Sequence, residues 1–187
     1  IIAFGGSTRA ESFNQRLVHI AAEGARHAGA EVTVISLRDF PMPLYDGDLE
    51  AAEGLPEHAR RFRSLLMEHD GLIIASPEYN SSVTAVLKNA IDWASRPQPH
   101  DPPLAAFAGK VAGLVSASTG QLGGLRGLFH LREILMNIRV MVLPTMVAVP
   151  QAGAVLGDGR LTDEKLHEGV VAVGRSVAET LQRLRGT

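Results

Sequence analysis

Three short stretches of this chain gather hydroxyls, amides and charge in a pattern suited to holding a polar ligand. The first, Gly5-Gly6-Ser7-Thr8-Arg9-Ala10-Glu11-Ser12-Phe13-Asn14, closes the apolar run Ile1-Ile2-Ala3-Phe4. Ser7, Thr8 and Ser12 bring hydroxyls, Arg9 a forked cation and Asn14 an amide, all just before an amphipathic stretch. The N-terminus of a helix presents free N–H groups and a positive dipole end, which suits a phosphate, and Arg9 adds charge-assisted donors. Ser12 is equally fitted to cap the helix and Ser7-Thr8 to turn the chain, and both roles are compatible with phosphate binding. The loop lacks the G-x-G-x-x-G fingerprint and the P-loop's G-K-[ST]. It also places Arg9 where a G-x-S-x-G elbow needs its last glycine.

The second stretch is Ser76-Pro77-Glu78-Tyr79-Asn80-Ser81, where Leu72-Ile73-Ile74-Ala75 ends abruptly. Pro77 removes a donor and fixes its own φ, so the strand stops there and the loop is expected to open straight into a helix. Tyr79 then falls at a ligand edge, where its ring can border a planar group. A surface role for Tyr79 and a capping role for Asn80-Ser81-Ser82 account for the same residues. The third stretch, Ser116-Ala117-Ser118-Thr119-Gly120-Gln121-Leu122-Gly123-Gly124, has glycines that let backbone N–H groups approach a ligand. Alone it reads as a flexible connection; at the same sheet edge as the other two it gains weight. The planar residue and hydrogen-bonding groups together suggest a flavin.

Other reactive types point elsewhere. His19, His27, His58, His69, His100, His130 and His167 show no compact metal spacing, so no metal is expected. Asp46, Asp48 and Glu50 read as a solvated or subunit-contacting acidic loop. Asp92 and Trp93 read as structural parts of a helix. No nucleophile–base pair is evident.

The elements that must position these loops alternate strand and helix five times. Strands are expected at 1–4, 32–35, 72–75, 111–115 and 140–149, with helices at 13–28, 57–69, 84–94 and 125–138. A last helix, capped by Thr162, carries Leu166, Val170, Val173, Val177, Leu181 and Leu184 on one stripe. Residues 39–56, with Pro41, Pro43, Gly47, Gly54 and Pro56, are expected to form a long surface loop. Continuous apolar strands joined by helices predict an α/β fold. The expected form is a flavodoxin-like three-layer sandwich, a five-stranded parallel sheet of order 2-1-3-4-5 with helices on both faces. Ligands in such a sheet lie beyond the carboxyl ends of the strands at the switch point, between strands one and three, where all three stretches converge.

Composition narrows the function. At 187 residues, 1–187 is expected to be a single domain, and 45% apolar content excludes a disordered chain. A net charge of −2 argues against nucleic acid, and no apolar run reaches the roughly 20 residues of a membrane span. The absence of cysteine excludes disulfides, thiolate metal sites and thiol redox chemistry, so redox work must come from a bound cofactor. A cytoplasmic location is the expectation.

These stretches together resemble the NAD(P)H-dependent FMN reductase family, and within it the quinone and chromate reductase branch. The matching segments are Gly6–Arg9 with Ser12–Asn14, Pro41 with Leu44-Tyr45-Asp46, Ser76–Ser81 running through Leu87–Pro97, and Ser118–Gly120 with Gly123-Gly124 and His130-Leu131-Arg132. The resemblance implies that Ser7, Arg9, Ser12 and Asn14, in a loop that includes Thr8, hold the FMN phosphate. It implies that Pro77, Glu78, Tyr79, Asn80 and Ser81 line the isoalloxazine ring. Ser116, Ser118, Thr119 and Gly120 would border its pyrimidine side, and Arg96 is a candidate for the phosphates of the nicotinamide cofactor. Leu125 and Phe129 stand where Ala and Tyr are familiar in close relatives.

The implied activity is transfer of hydride from NADPH or NADH to FMN and on to a quinone-like acceptor, with chromate, azo compounds or free flavin as further acceptors. The cofactor carries the chemistry, so no catalytic side chain is required. The resemblance also implies a homodimer or homotetramer. A flavodoxin-type electron carrier and a regulatory flavin-binding module are the rivals. The modest net charge and the Arg in the phosphate loop speak against the carrier.

Overall fold

The computed structural model describes residues 1–157 and 159–186. The chain runs β1 (Ile2–Gly5), α1 (Phe13–His27), β2 (Thr33–Ser36), a 3₁₀ turn (Leu37–Asp39), α2 (Gly47–Glu53), α3 (Glu57–Met67), β3 (Gly71–Ala75), β4 (Glu78–Tyr79), β5 (Ser82–Val83) and α4 (Ala85–Ala94). It continues with β6 (Val111–Ala117), α5 (Leu125–Asn137), β7 (Met141–Val149), α6 (Ala152–Val155) and α7 (Glu164–Arg185). Five strands form one parallel sheet of order β2-β1-β3-β6-β7, which is the expected 2-1-3-4-5 arrangement. Every residue of β1, β3 and β6 is buried, as continuous apolar runs in a doubly covered parallel sheet require.

Alternate side chains of each strand feed two cores. Ala3, Ile73, Ala75, Val111 and Val115 pack against α1 and α7. Ile2, Phe4, Leu72, Ile74, Ala112 and Leu114 pack against α3, α4 and α5, where Phe4 and Phe62 meet edge to face at 5.5 Å. On the first face α1 and α7 cross without side chains between them. A Cβ on Gly174 would lie 1.7 Å from the Ala21 carbonyl oxygen, and one on Gly24 would lie 2.0 Å from that of Val171.

Several expectations need correction. The 39–56 segment is not all loop: Asp46 caps α2, its carboxylate accepting from the Asp48 and Leu49 N–H groups. The last helix is capped by Asp163, which accepts from Leu166 N–H, rather than by Thr162. Leu184 is 60% exposed, because the stripe of α7 runs past the end of the sheet. Strand β7 carries a register shift against β6 between Ala112 and Leu114, opposite Pro144, which has no N–H to give the ladder. Among the described residues no helix is long and apolar enough to cross a membrane.

Candidate functional site

The three loops meet at the carboxyl ends of β1, β3 and β6 and enclose a cleft of about 180 Å³. Ser7, Arg9, Ser12, Phe13 and Asn14 form one wall, Pro77, Glu78 and Tyr79 a second, and Ala117, Ser118 and Thr119 a third. A larger cavity of about 370 Å³, bordered by Glu31, Glu68 and Asp70, opens at the opposite end of the strands. Its place at the amino ends of a parallel sheet suits it poorly to a cofactor of this kind, and its one arginine, Arg185, is paired with Asp70.

In the first loop Ser7, Arg9 and Ser12 line the cleft. Ser12 caps α1, its hydroxyl oxygen accepting from Gln15 N–H at 3.2 Å, and so keeps its own proton to donate. The Ser7 hydroxyl accepts from Arg9 N–H at 3.2 Å in the same way. The N–H groups of Phe13 and Asn14 at the start of α1 have no partner among the described residues, and neither has the exposed Arg9 guanidinium. Two uncommitted hydroxyl protons, two N–H groups and a cation around one concavity fit a phosphate dianion.

Asn14 is placed differently from the expectation of a phosphate ligand. It is 3% exposed, donates from Nδ2 to the Ala117 carbonyl at 2.8 Å, and accepts from Ala117 N–H at 2.9 Å. This amide clamps the end of β6 to α1 and leaves one N–H toward the cleft. Gln15, which the sequence did not single out, works similarly. Its side chain accepts from Gly5 N–H at 3.0 Å and donates to the Ile35 carbonyl at 2.9 Å, tying β1 to β2 beneath the loop.

The second loop does not open straight into a helix. Glu78–Tyr79 and Ser82–Val83 pair as an antiparallel hairpin, turned by Asn80 and Ser81 at φ 50° and 67°. Both central residues are left-handed, the requirement of a type I′ turn, and Asn and a small Ser tolerate it. The hairpin carries Tyr79 outward, 54% exposed, and places Asn80 and Ser81 at its tip rather than in the cleft lining. Thr84 caps α4 and donates its hydroxyl to the Gly6 carbonyl at 2.7 Å, pinning this helix to the first loop.

Glu78 is the main surprise of the loop. Its side chain is 7% exposed, and one oxygen takes the Arg126 guanidinium while the other accepts from Gly127 N–H at 3.1 Å. Helix α5 begins after Gly124 with no side-chain cap of its own, so Glu78 supplies the negative charge its N-terminus needs. Burial alone would raise this carboxyl; Arg126 and the α5 N–H groups overcome that and hold it below the ordinary Glu value.

In the third loop Ser118 and Thr119 line the cleft, and Gly120 lies just behind, its N–H on the Ser118 hydroxyl at 3.2 Å. Ser116 is fully buried and donates to the Gly123 carbonyl at 2.6 Å, so it shapes the loop from beneath instead of bordering a ligand. Gly123 and Gly124 have φ of 61° and 92°, and a Cβ on Gly124 would lie 2.8 Å from Ser116 Oγ, so this closure needs glycine.

Arg96 and Thr8 lie outside the cleft. Both oxygens of Glu50 accept from Arg96 Nε, at 3.0 and 2.8 Å, and the guanidinium stacks over Tyr45 at 5.2 Å. Tyr45 in turn donates its hydroxyl to Glu50 at 2.9 Å and meets Trp93 edge to face. Arg96 holds the Glu50 carboxyl below its ordinary value, and Glu50 raises the Tyr45 hydroxyl. Asn89 and Trp93 donate to the Pro43 carbonyl at 2.8 and 2.9 Å. The Leu87–Pro97 segment thus fastens the 41–50 segment onto α4, which gives Glu50 of the acidic loop an internal partner.

Comparison with known proteins gives concordant results. The family model for NADPH-dependent FMN reductase matches residues 1–154. An NAD(P)H-dependent FMN reductase of Pseudomonas aeruginosa is 36% identical over 188 residues, covering 100% of this chain and 97% of its own. An NAD(P)H:quinone oxidoreductase of Solanum tuberosum is 36% identical, covering 97% and 92%. Among solved structures, the flavoenzyme NAD(P)H:(acceptor) oxidoreductase of Paracoccus denitrificans superposes with a TM-score of 0.76 at 28% identity, covering 96% of each chain.

Proposed function

The chain belongs to the NADPH-dependent FMN reductase family, and from that premise we propose a division of labour among its residues, together with an acceptor class. The protein is an FMN-dependent NAD(P)H oxidoreductase of flavodoxin-like fold. Bound FMN supplies hydride acceptance and release, and the chain supplies binding, orientation and exclusion. In this reading Ser7, Arg9 and Ser12, with the N–H groups of Phe13 and Asn14, hold the phosphate. Pro77, Tyr79, Ser118, Thr119 and Gly120 border the rest of the cofactor. Glu78, Ser116 and Asn14 shape these loops, and Asn80 and Ser81 turn the hairpin.

The carrying observation is the convergence on one cleft, at the carboxyl ends of β1, β3 and β6, of two hydroxyl donors with an Arg9 guanidinium and two N–H groups that have no partner among the described residues. At about 180 Å³ the cleft is smaller than the roughly 300 Å³ at which ligand pockets begin, so it encloses a phosphate and sugar chain and leaves a flat ring at its rim. An open rim suits donor and acceptor taking turns at one face. Quinone-like acceptors are the proposed second substrates, supported by the names of the plant and bacterial relatives.

The segment 1–187 is proposed to act as one domain, since α7, beyond the matched region, packs along α1. Leu122, Leu125, Phe129 and Met136 are each more than a third exposed at helical spacing on and before α5, which supports a homodimer or homotetramer through that face. A cytoplasmic site of action agrees with a chain that needs no disulfide. The test is the visible spectrum of purified protein, followed by anaerobic addition of NADPH. A yellow protein that bleaches and recovers on adding benzoquinone is expected, with parallel double-reciprocal plots. A colourless protein with no affinity for FMN would refute the reading.

A further inference from the structure

A second cavity, of about 290 Å³, lies on the other flank of the β1–α1 loop, and it shares no lining residue with the first cleft. Thr8 lines it, whereas its neighbours Ser7 and Arg9 line the cleft. Its walls are mostly apolar, from Leu37, Phe40, Pro41 and Met42 after β2 and from Val86 and Ala90 of α4. These walls are held in place. Leu37 and Phe40 are buried members of the core that contains α3 and α4. On the α4 side Asn89 accepts from Tyr45 N–H and donates to the Pro43 carbonyl, both at 2.8 Å, and Trp93 donates to the same carbonyl at 2.9 Å.

The charge around this slot has one sign. Arg38 is the only charged residue in its lining. The Arg38 backbone N–H is fixed on the Ser36 hydroxyl at 3.2 Å, while its exposed guanidinium has no hydrogen-bond or ion-pair partner among the described residues. Arg61 stacks over Phe40 at 5.6 Å and adds a second cation beside the slot; Asp39 is exposed and lies outside the lining.

Each feature narrows the occupant. A phosphate dianion asks for several convergent donors, as the first cleft offers. Here Asn89 is committed, and one guanidinium with the Thr8 hydroxyl remains. A guanidinium fork matches a carboxylate with two parallel hydrogen bonds. Phe40, Pro41 and Met42 present flat and polarisable surface, which suits a ring better than a flexible chain. At about 290 Å³ the slot stands at the lower end of small-molecule pockets, so one or two rings fill it. We propose that this slot is a binding site for a small aromatic carboxylate, with the ring between the 37–42 segment and α4 and the carboxylate on Arg38. Its ligand is held alongside the cofactor and is neither hydride donor nor hydride acceptor. The inference goes beyond the flavin reading and does not depend on it.

Calorimetry with 1-naphthoate, 1-naphthamide and octanoate, on FMN-loaded and on flavin-free protein, tests the site. Wild type should bind 1-naphthoate about fivefold or more tightly than the amide, the factor expected of one charge-assisted contact, and Arg38→Ala should erase that difference. Val86→Phe, which fills the slot from the half-buried start of α4, should weaken naphthoate while FMN affinity holds. Arg9→Ala, which removes the cation of the other cleft, should leave naphthoate affinity unchanged, and naphthoate should bind with or without FMN. Equal affinity for naphthoate and its amide, or naphthoate binding indifferent to Arg38→Ala, overturns the carboxylate assignment. Binding indifferent to Val86→Phe, or lost in Arg9→Ala or on loading with FMN, overturns the placement. Octanoate binding more tightly than naphthoate overturns the ring, and no binding up to millimolar naphthoate overturns the site as a whole. A colourless protein that still selects naphthoate through Arg38 would sustain this slot while refuting the flavin reading.

Discussion

Replacing Asn14 by alanine separates a residue that touches the cofactor from one that builds the cradle. The side chain joins α1 to the last residue of β6 through two hydrogen bonds, and Ala117 is 3% exposed, so no water can take its place. Asn14→Ala removes both bonds and strands the Ala117 N–H and carbonyl in the interior. Each orphaned group costs on the order of 1–3 kcal/mol, so the pair amounts to about 2–4 kcal/mol after relaxation. With a urea m value of about 2 kcal/mol/M, the unfolding midpoint of the flavin-free protein should fall by roughly 1–2 M at unchanged m. FMN and riboflavin affinities should fall together, because the whole loop shifts. A variant whose flavin-free stability drops by less than about 1 kcal/mol, and which loses FMN but keeps riboflavin, would show that Asn14 is a phosphate ligand and that the clamp argument is wrong.

Arg9→Ala should give the opposite pattern. FMN affinity falls by about 1.5–3 kcal/mol, the value of a charge-assisted hydrogen bond, while riboflavin affinity and unfolding midpoint stay constant; equal losses for both ligands would refute the phosphate role. Gly174→Ala should destabilise the protein by about 3 kcal/mol or more, since its Cβ would stand 1.7 Å from the Ala21 carbonyl and force α1 and α7 apart. Near-neutral denaturation curves for that variant would contradict the helix crossing. Glu78→Gln should show its cost only above a certain pH. The folded carboxyl is held below the ordinary value of 4.5, so its stabilisation is full above that value and is lost as pH falls through the lower folded one. The stability gap between wild type and Glu78→Gln, measured by denaturation from pH 7 to 3, should therefore shrink below about pH 4.5. A gap that stays constant over that range would refute the charged contact.

Legibility in the sequence followed the range of the interaction. The sheet order was readable because β1, β3 and β6 are continuous apolar runs separated by 3.6-period stripes, and both are local patterns. The cleft was readable because strand ends are marked by Gly5-Gly6, Pro77 and Gly120, and a parallel sheet brings such ends together. The finer division of labour was not. Asn14 pairs with a backbone 103 positions away, and Glu78 with a helix 48 positions away. Nothing beside either residue announces such a partner. The α5 end does carry a local signal: the helix starts after Gly123-Gly124 with no Ser, Thr, Asp or Asn to cap it, and an uncapped N-terminus needs an acceptor from elsewhere. The hairpin was hidden because a two-residue arm is too short to show alternation. Arg96, which the resemblance offers for the phosphates of the nicotinamide cofactor, has a partner 46 positions away in Glu50, and nothing beside it in the sequence announces that pairing.

The tertiary partners also explain why so many polar residues of the three loops face one another instead of the cleft. Thr84 joins the second loop to the first through the Gly6 carbonyl, Asn14 joins the first to the third through Ala117, and Glu78 joins the second to the helix that the third begins. The three links close a ring around the cleft, and Ser116 braces the third loop from inside. A cradle closed in this way keeps its shape without ligand, so binding need not order three separate loops, and affinity gains what that ordering would have cost. The same closure makes the contacts few. Arg9 and the hydroxyl protons of Ser7 and Ser12 stay uncommitted because the ring already fixes the backbone that carries them. Loss of a ring member should therefore disturb every part of a bound cofactor at once, whereas loss of an uncommitted group should disturb only the atom it faces.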